Sequence, residues 1–174
     1  MRENIFDKPD AIAMYYLREM AVDIGPSLSR LTKNRGNYKV DGYLQNKDLP
    51  IHSSYNDIIK THVFNDGDST HYYTLDHQNK TVAHYAKIKK DSNTFQFPVE
   101  EQHNVDKDKS NTNLPKGFAT EFIYNHFKNS ELPLRSSDEQ FHDGHFMWRR
   151  LVDKALADKH YVYFHDKTTG NLRN

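Results

Sequence analysis

Apolar and polar positions change their period several times along the chain. Near the amino end, Pro9 suits the first turn of a helix, where its missing N–H costs nothing, and Ile12, Tyr15, Tyr16 and Met20 share one face at helical spacing. Gly25 and Pro26 end that pattern. Residues 27–31 (SLSRL) read as a short helical turn, 34–36 (NRG) as a turn and 38–44 (YKVDGYL) as a short strand. Residues 53–60 (SSYNDIIK) have a serine cap with an aspartate three positions on, which predicts a short helix.

The centre reads differently. Residues 71–76 (HYYTLD), 81–90 (TVAHYAKIKK) and 94–101 (TFQFPVEE) are rich in β-branched and aromatic side chains, and short polar turns separate them. That predicts a three-stranded antiparallel meander. Pro98 inside the third segment cannot donate to a ladder, so it marks either an ordinary edge or a bulge. A bulge would splay this strand from its next neighbour and leave backbone groups into which an extended, amide-bearing ligand could dock. Residues 102–116 then form a polar loop, longer than most and of the kind that often carries function.

From there helix and strand alternate. A helix over 117–129 places Ala119, Phe122, Ile123 and Phe127 on one face. A strand over 132–137 follows, then a helix over about 140–157 whose buried face carries Met147, Trp148, Leu151, Val152 and Ala155, then a strand over 161–166. The tail adds a last short edge. The order predicts an α+β fold: a single mixed central sheet, an antiparallel meander followed by βαβαβ, with helices on both faces. One domain spans 1–174, and its first 70 residues match no motif.

Composition narrows the classes. With 24 Lys+Arg against 24 Asp+Glu the net charge is zero, which argues against a nucleic-acid-coating surface. There is no cysteine, so disulfides, thiolate zinc sites, iron–sulfur clusters and a cysteine nucleophile are excluded. The start lacks the apolar stretch of a signal peptide and no apolar run reaches the roughly 20 residues of a membrane span. These features point to a cytoplasmic location. The histidines, among them His142, His145, His160 and His165, lack the spacing of a metal site.

The stretch 114–127 (LPKGFATEFIYNHF) carries the most chemistry. Gly117 either relieves strain where a loop enters a helix or bares backbone N–H groups that hold a phosphate at the positive end of the helix, with Lys116 beside it. Lys107 and Lys109 lie in the preceding loop. A splayed strand, a Gly-x-Ala helix start and then βαβ resembles the plan of the GNAT superfamily of N-acetyltransferases, over about residues 71–166. That family's signature is Arg/Gln-x-x-Gly-x-Gly/Ala. Gly117 and Ala119 occupy its last two places and Leu114 its first. A second stretch, 134–151 (LRSSDEQFHDGHFMWRRL), is similar to a pattern of small GNAT-like proteins of bacteriophages, matched at Ser137, Asp138, Gln140, Gly144, Trp148 and Leu151.

The resemblance implies an acyl-CoA donor, acetyl-CoA in the simplest case, held by Val99, Lys116, Gly117, Phe118, Ala119 and Thr120. It implies an amine acceptor on a small molecule, a protein or a nucleobase. Glu100 or Glu101 would be the base, one of them facing the cleft by alternation. The family's usual acid is a tyrosine near its fourth helix. No tyrosine lies between 125 and 160, so Tyr124, Tyr161, Tyr163, Ser137, Asp138 or His142 would substitute. Helix capping explains Ser137 and Asp138 equally well. A second reading keeps the fold without the catalysis: a phage protein in the host cytoplasm that binds a host protein through its first 70 residues.

Overall fold

The computed structural model describes residues 11–15, 49–79, 81–107, 111–137, 142–166 and 168–173. In chain order these hold β1 (Ala11–Tyr15), β2 (Ile51–Ser54), β3 (Ile59–Asp66), β4 (Ser69–Asp76), β5 (Thr81–Asp91) and β6 (Val99–Lys107). Then come α1 (Phe118–Asn129), β7 (Leu134–Ser136), α2 (His142–Ala157), β8 (Tyr161–Asp166) and β9 (Asn171–Arg173). All nine strands join one sheet in the order β2-β3-β4-β5-β6-β7-β1-β8-β9. Neighbours from β2 to β6 are antiparallel, whereas β6, β7, β1 and β8 run parallel. β9 returns antiparallel to β8. The α+β class and the mixed sheet agree with the pattern of the chain.

Both described helices bury their apolar stripes against the same face. Ile123, Tyr124 and Phe127 of α1 and Met147, Trp148, Leu151 and Ala155 of α2 share one cluster with Tyr72, Ala86, Ile88, Leu134 and Val162 of the sheet. The crossovers β6–α1–β7 and β7–α2–β8 step the same way across the sheet. Right-handed crossovers that keep one direction lay their helices on one face. The expectation of helices on both faces is therefore corrected for these two. On the opposite face Leu49, Tyr73, Leu75, Val82 and Tyr85 form a second buried cluster.

Four other expectations need correction. Ala11–Tyr15 is a strand and not part of a helix; it lies between β7 and β8, parallel to both. The run AIAMY is continuously apolar, which fits a strand buried on both faces as well as a helix face, and only the distant slot decides between them. Residues 53–60 are not helical: β2 ends at Ser54 and β3 starts at Ile59. Asn56 makes the turn between them, its side-chain oxygen accepting from the amides of Ile58 and Ile59. Strand β3 itself, with Thr61 and His62 buried among its polar residues, had not been expected. The third meander strand starts only at Val99, after Pro98, and runs through residues read as loop to Lys107. The readings of 27–31, 34–36 and 38–44 fall outside the described residues.

No helix among the described residues is long and apolar enough to cross a membrane. Trp148 is wholly buried and its indole N–H donates to Gln102 Oε1 at 2.7 Å, tying α2 to β6. Trp148→Ala is expected to lower stability by about 3–5 kcal/mol, since it opens a cavity and strands that acceptor. Urea unfolding followed by circular dichroism checks this.

Candidate functional site

Strand β6 has nine residues and its neighbour β7 has three. Their parallel register pairs Glu100 with Leu134, Glu101 with Arg135 and Gln102 with Ser136, and stops there. β6 runs on through residues 103–107 with β5 alone beside it among the described residues. On the far side of β7, β1 also outruns it, pairing with β8 as far as Tyr15↔His165. The end of β7 is thus the floor of a notch between longer strands. About 16 Å of β6 backbone lines one wall, at roughly 3.3 Å per residue.

The parting begins at a bulge. Lys87 pairs with Asn104 and Ile88 with Gln102, so His103 is the extra residue on β6. Bulges bend a strand and raise its twist, and this one falls on β6 just past its last rung with β7. Pro98 does not make this bulge; it stands just before β6, where its missing N–H removes no ladder bond.

Helix α1 begins at the same end of the sheet. Gly117 caps it at φ 83°, a left-handed backbone that favours glycine, and no side chain caps the first turn. A Cβ built on Gly117 would meet nothing within 4 Å among the described residues. The turn therefore favours a glycine, as the first reading of Gly117 expects. Of the first-turn amides, Phe118 N–H donates to Pro115 O at 3.2 Å. Lys107 Nζ donates to the same carbonyl at 3.1 Å, which fastens the end of β6 to the loop before the helix. Lys116 is exposed, and Ala119 and Thr120 are half-buried.

Not every candidate stands at this mouth. Val99 is wholly buried at the opposite end of β6 and is a core residue. Phe118 turns inward, packs on the cluster of Ile59, Ala83 and Leu114, and meets His84 edge-on at 5.2 Å. Leu114 belongs to that core as well. Ser137 lies just past β7, at the notch floor, while Asp138 and Lys109 fall outside the described residues.

The two glutamates point to opposite faces. Glu100 faces α1 and accepts from His126 Nε2 at 2.7 Å; His126 Nδ1 in turn meets the Tyr72 hydroxyl at 3.3 Å. Burial pushes the Glu100 carboxyl up, but the His126 hydrogen bond and charge outweigh it and hold it below the usual range. Burial, with the Glu100 charge, pushes Tyr72 up to about 12. His126 lies eight residues beyond Phe118, roughly 12 Å along the helix, so Glu100 is not at the mouth. Glu101 faces the other way, where Arg135 bridges it to Asp91. His103 Nε2 approaches Glu101 Oε1 to 3.6 Å, and its side chain is 40% exposed. The arrangement there is an exposed imidazole beside a carboxylate that an arginine holds in place. Imidazole is the side chain best suited to take a proton near neutral pH.

Sequence reasoning missed His103 because residues 102–107 look like a loop. A usable signal was the opposite charge of the facing strands: Lys89 pairs with Glu101 and Lys90 with Glu100. It also missed Asp76, which anchors the loop before α1. Asp76 Oδ2 accepts from the side-chain amides of Asn79, Asn111 and Asn113, and Oδ1 from the backbone N–H of Gln78 and Asn79. Burial raises its pKa, but these bonds outweigh that and bring it down to about 2. His84, wholly buried beneath α1, is driven by burial, then by the Lys107 charge, down to about 3 and stays neutral. No three His, Asp or Glu side chains among the described residues converge as metal ligands do.

Comparisons of the chain with protein-family models, with curated proteins and with solved structures give no match.

Asp76 sets a pH test. Its folded pKa lies below the ordinary value of 3.8, so its contribution is present above that value and is lost as pH falls toward about 2. Asp76→Asn is expected to flatten this acid limb and to speed amide exchange at Leu114 and Phe118. Denaturation at a series of pH values and hydrogen-exchange mass spectrometry measure the two effects.

Proposed function

We propose that the chain is an N-acyltransferase that moves an acetyl or related acyl group from acyl-CoA to an amine. The observation that supports it best is the notch: a bulged strand that outlasts its parallel neighbour, at the sheet end where an uncapped helix begins on Gly117. The β6 backbone past Gln102, paired with β5 alone among the described residues, suits the amides of an extended pantetheine arm, which would lie there as a further strand. The mouth of α1, with the amides of Ala119 and Thr120 and the cation of Lys116, suits the pyrophosphate.

The base in this reading is His103, with the Glu101 carboxylate beside it at 3.6 Å. Glu100 is left to hold α1 through His126. His103 lies on the side of Glu101, away from the helices, so the acceptor amine approaches from the face opposite the donor's phosphates. His103 takes the proton from the amine as its nitrogen bonds to the acyl carbon and the carbon–sulfur bond breaks; CoA leaves as a thiolate and takes up a proton. The acceptor is an amine on a small molecule, a protein or a nucleobase.

A second reading, partner binding without catalysis, draws on the edge strand β2. All four of its residues are exposed, and so is Tyr55 beside it. β2 ends the sheet among the described residues, and a sheet edge accepts a partner's strand.

Calorimetry with acetyl-CoA tests the first reading: saturable binding is expected, and no heat with no thermal shift at millimolar ligand would sink it. Gly117→Val is expected to weaken binding by roughly tenfold or more, through loss of charge-assisted amide bonds, and to cost about 1–2 kcal/mol of stability through left-handed strain. His103→Gln is expected to leave the acetyl-CoA affinity unchanged and to slow thiol release by roughly a hundredfold. Partner binding through β2 would survive both substitutions.

A further inference from the structure

Ser136 is the last residue of β7 and its side chain is wholly buried, yet its Oγ has no hydrogen-bond partner among the described residues. A buried hydroxyl without a partner is costly, and alanine would fill the same space without that cost. The obvious neighbour does not relieve it. Gln102 is the register partner of Ser136, and its Oε1 already accepts from the Trp148 indole. Ser136 therefore holds an unused O–H at the floor of the notch, one residue from the point where β6 parts from β7. Its side chain is on the helix side of the sheet, as Leu134 two residues earlier is.

We infer that Ser136 donates its O–H to the acyl carbonyl oxygen of the donor, an assignment that rests on the acyltransferase reading. As the amine nitrogen adds to the carbonyl carbon, that oxygen gains negative charge, and a preorganised donor away from water stabilises the charge most. Ser136 keeps its proton throughout. The amine's proton goes to His103, the carbon–sulfur bond breaks, and the sulfur leaves as a thiolate that is protonated by solvent. A ligand oxygen would also satisfy the hydroxyl that the protein leaves unpaired.

The test compares acetyl-CoA with CoA, which lacks the carbonyl, on the full chain. The unaltered protein is expected to prefer acetyl-CoA by roughly fivefold, the worth of one such hydrogen bond. Ser136→Ala is expected to bind CoA as before and to lose that preference. Infrared difference spectra are expected to show the bound thioester carbonyl shifted to lower frequency in the unaltered protein and not in the variant. The melting temperature of the variant is expected to stay level or rise, because no bond is lost. If the unaltered protein binds acetyl-CoA and the carbonyl frequency is the same in both proteins, the role of Ser136 is overturned while the acyltransferase reading stands. If Ser136→Ala melts lower and keeps the carbonyl shift, Ser136 is a structural residue and the assignment is likewise overturned. If the unaltered protein binds neither ligand, the reading fails and the assignment goes with it.

Discussion

A mismatch in strand length governs the parallel half of this sheet. β7 is three residues long between neighbours that run further, so the sheet cannot stay closed at its carboxyl end. The short strand nevertheless carries much of the architecture. Leu134 is buried in the core shared by both described helices, and Arg135 holds Asp91 and Glu101 on the opposite face. Ser136 ends it. Each residue of β7 thus has one task, and the strand ends where the ladder must end for the notch to exist. Parallel pairing is slightly weaker per residue than antiparallel, so three rungs hold only because β1 pairs on the other side.

Alternation divides the polar residues of β6 between two environments. Glu100 and Gln102 face the helices and are used to seat them, one against His126 on α1 and one against Trp148 on α2. Glu101 faces away and meets Arg135. The bulge then adds His103, whose ring approaches the Glu101 carboxylate. Two neighbouring glutamates that look interchangeable in the sequence thus become a helix anchor and a partner of an exposed histidine.

The legible parts of the fold were those with a local period. Helices α1 and α2, with Ile123 and Phe127 on one and Trp148 and Leu151 on the other, follow from spacing, and β8 follows from YVYFHD. Gly117 was legible as a helix start for the same reason. The failures were non-local. Nothing within AIAMY says that its neighbours will be β7 and β8, and nothing within Ser53–Lys60 outweighs a serine cap until Asn56 is seen to close a turn. Face also could not be read from the alternation of elements alone. It needed the order of strands, because the direction of each crossover decides which side its helix takes.

The least legible stretch, QHNVDK, explains itself once its surroundings are known. A strand with one edge unpaired in a sheet shows a row of backbone donors and acceptors, which invites pairing with another chain. Apolar side chains there would add stickiness to that edge. Charged and amide side chains oppose it, so the stretch that borders the notch should be polar, and it is. The same composition that hides the strand from a hydrophobic-period reading is the one that keeps its edge from sticking to another chain. A polar segment of loop-like composition, with lysines across the sheet from its glutamates, is therefore a better pointer to this site than the Gly-x-Ala that follows it.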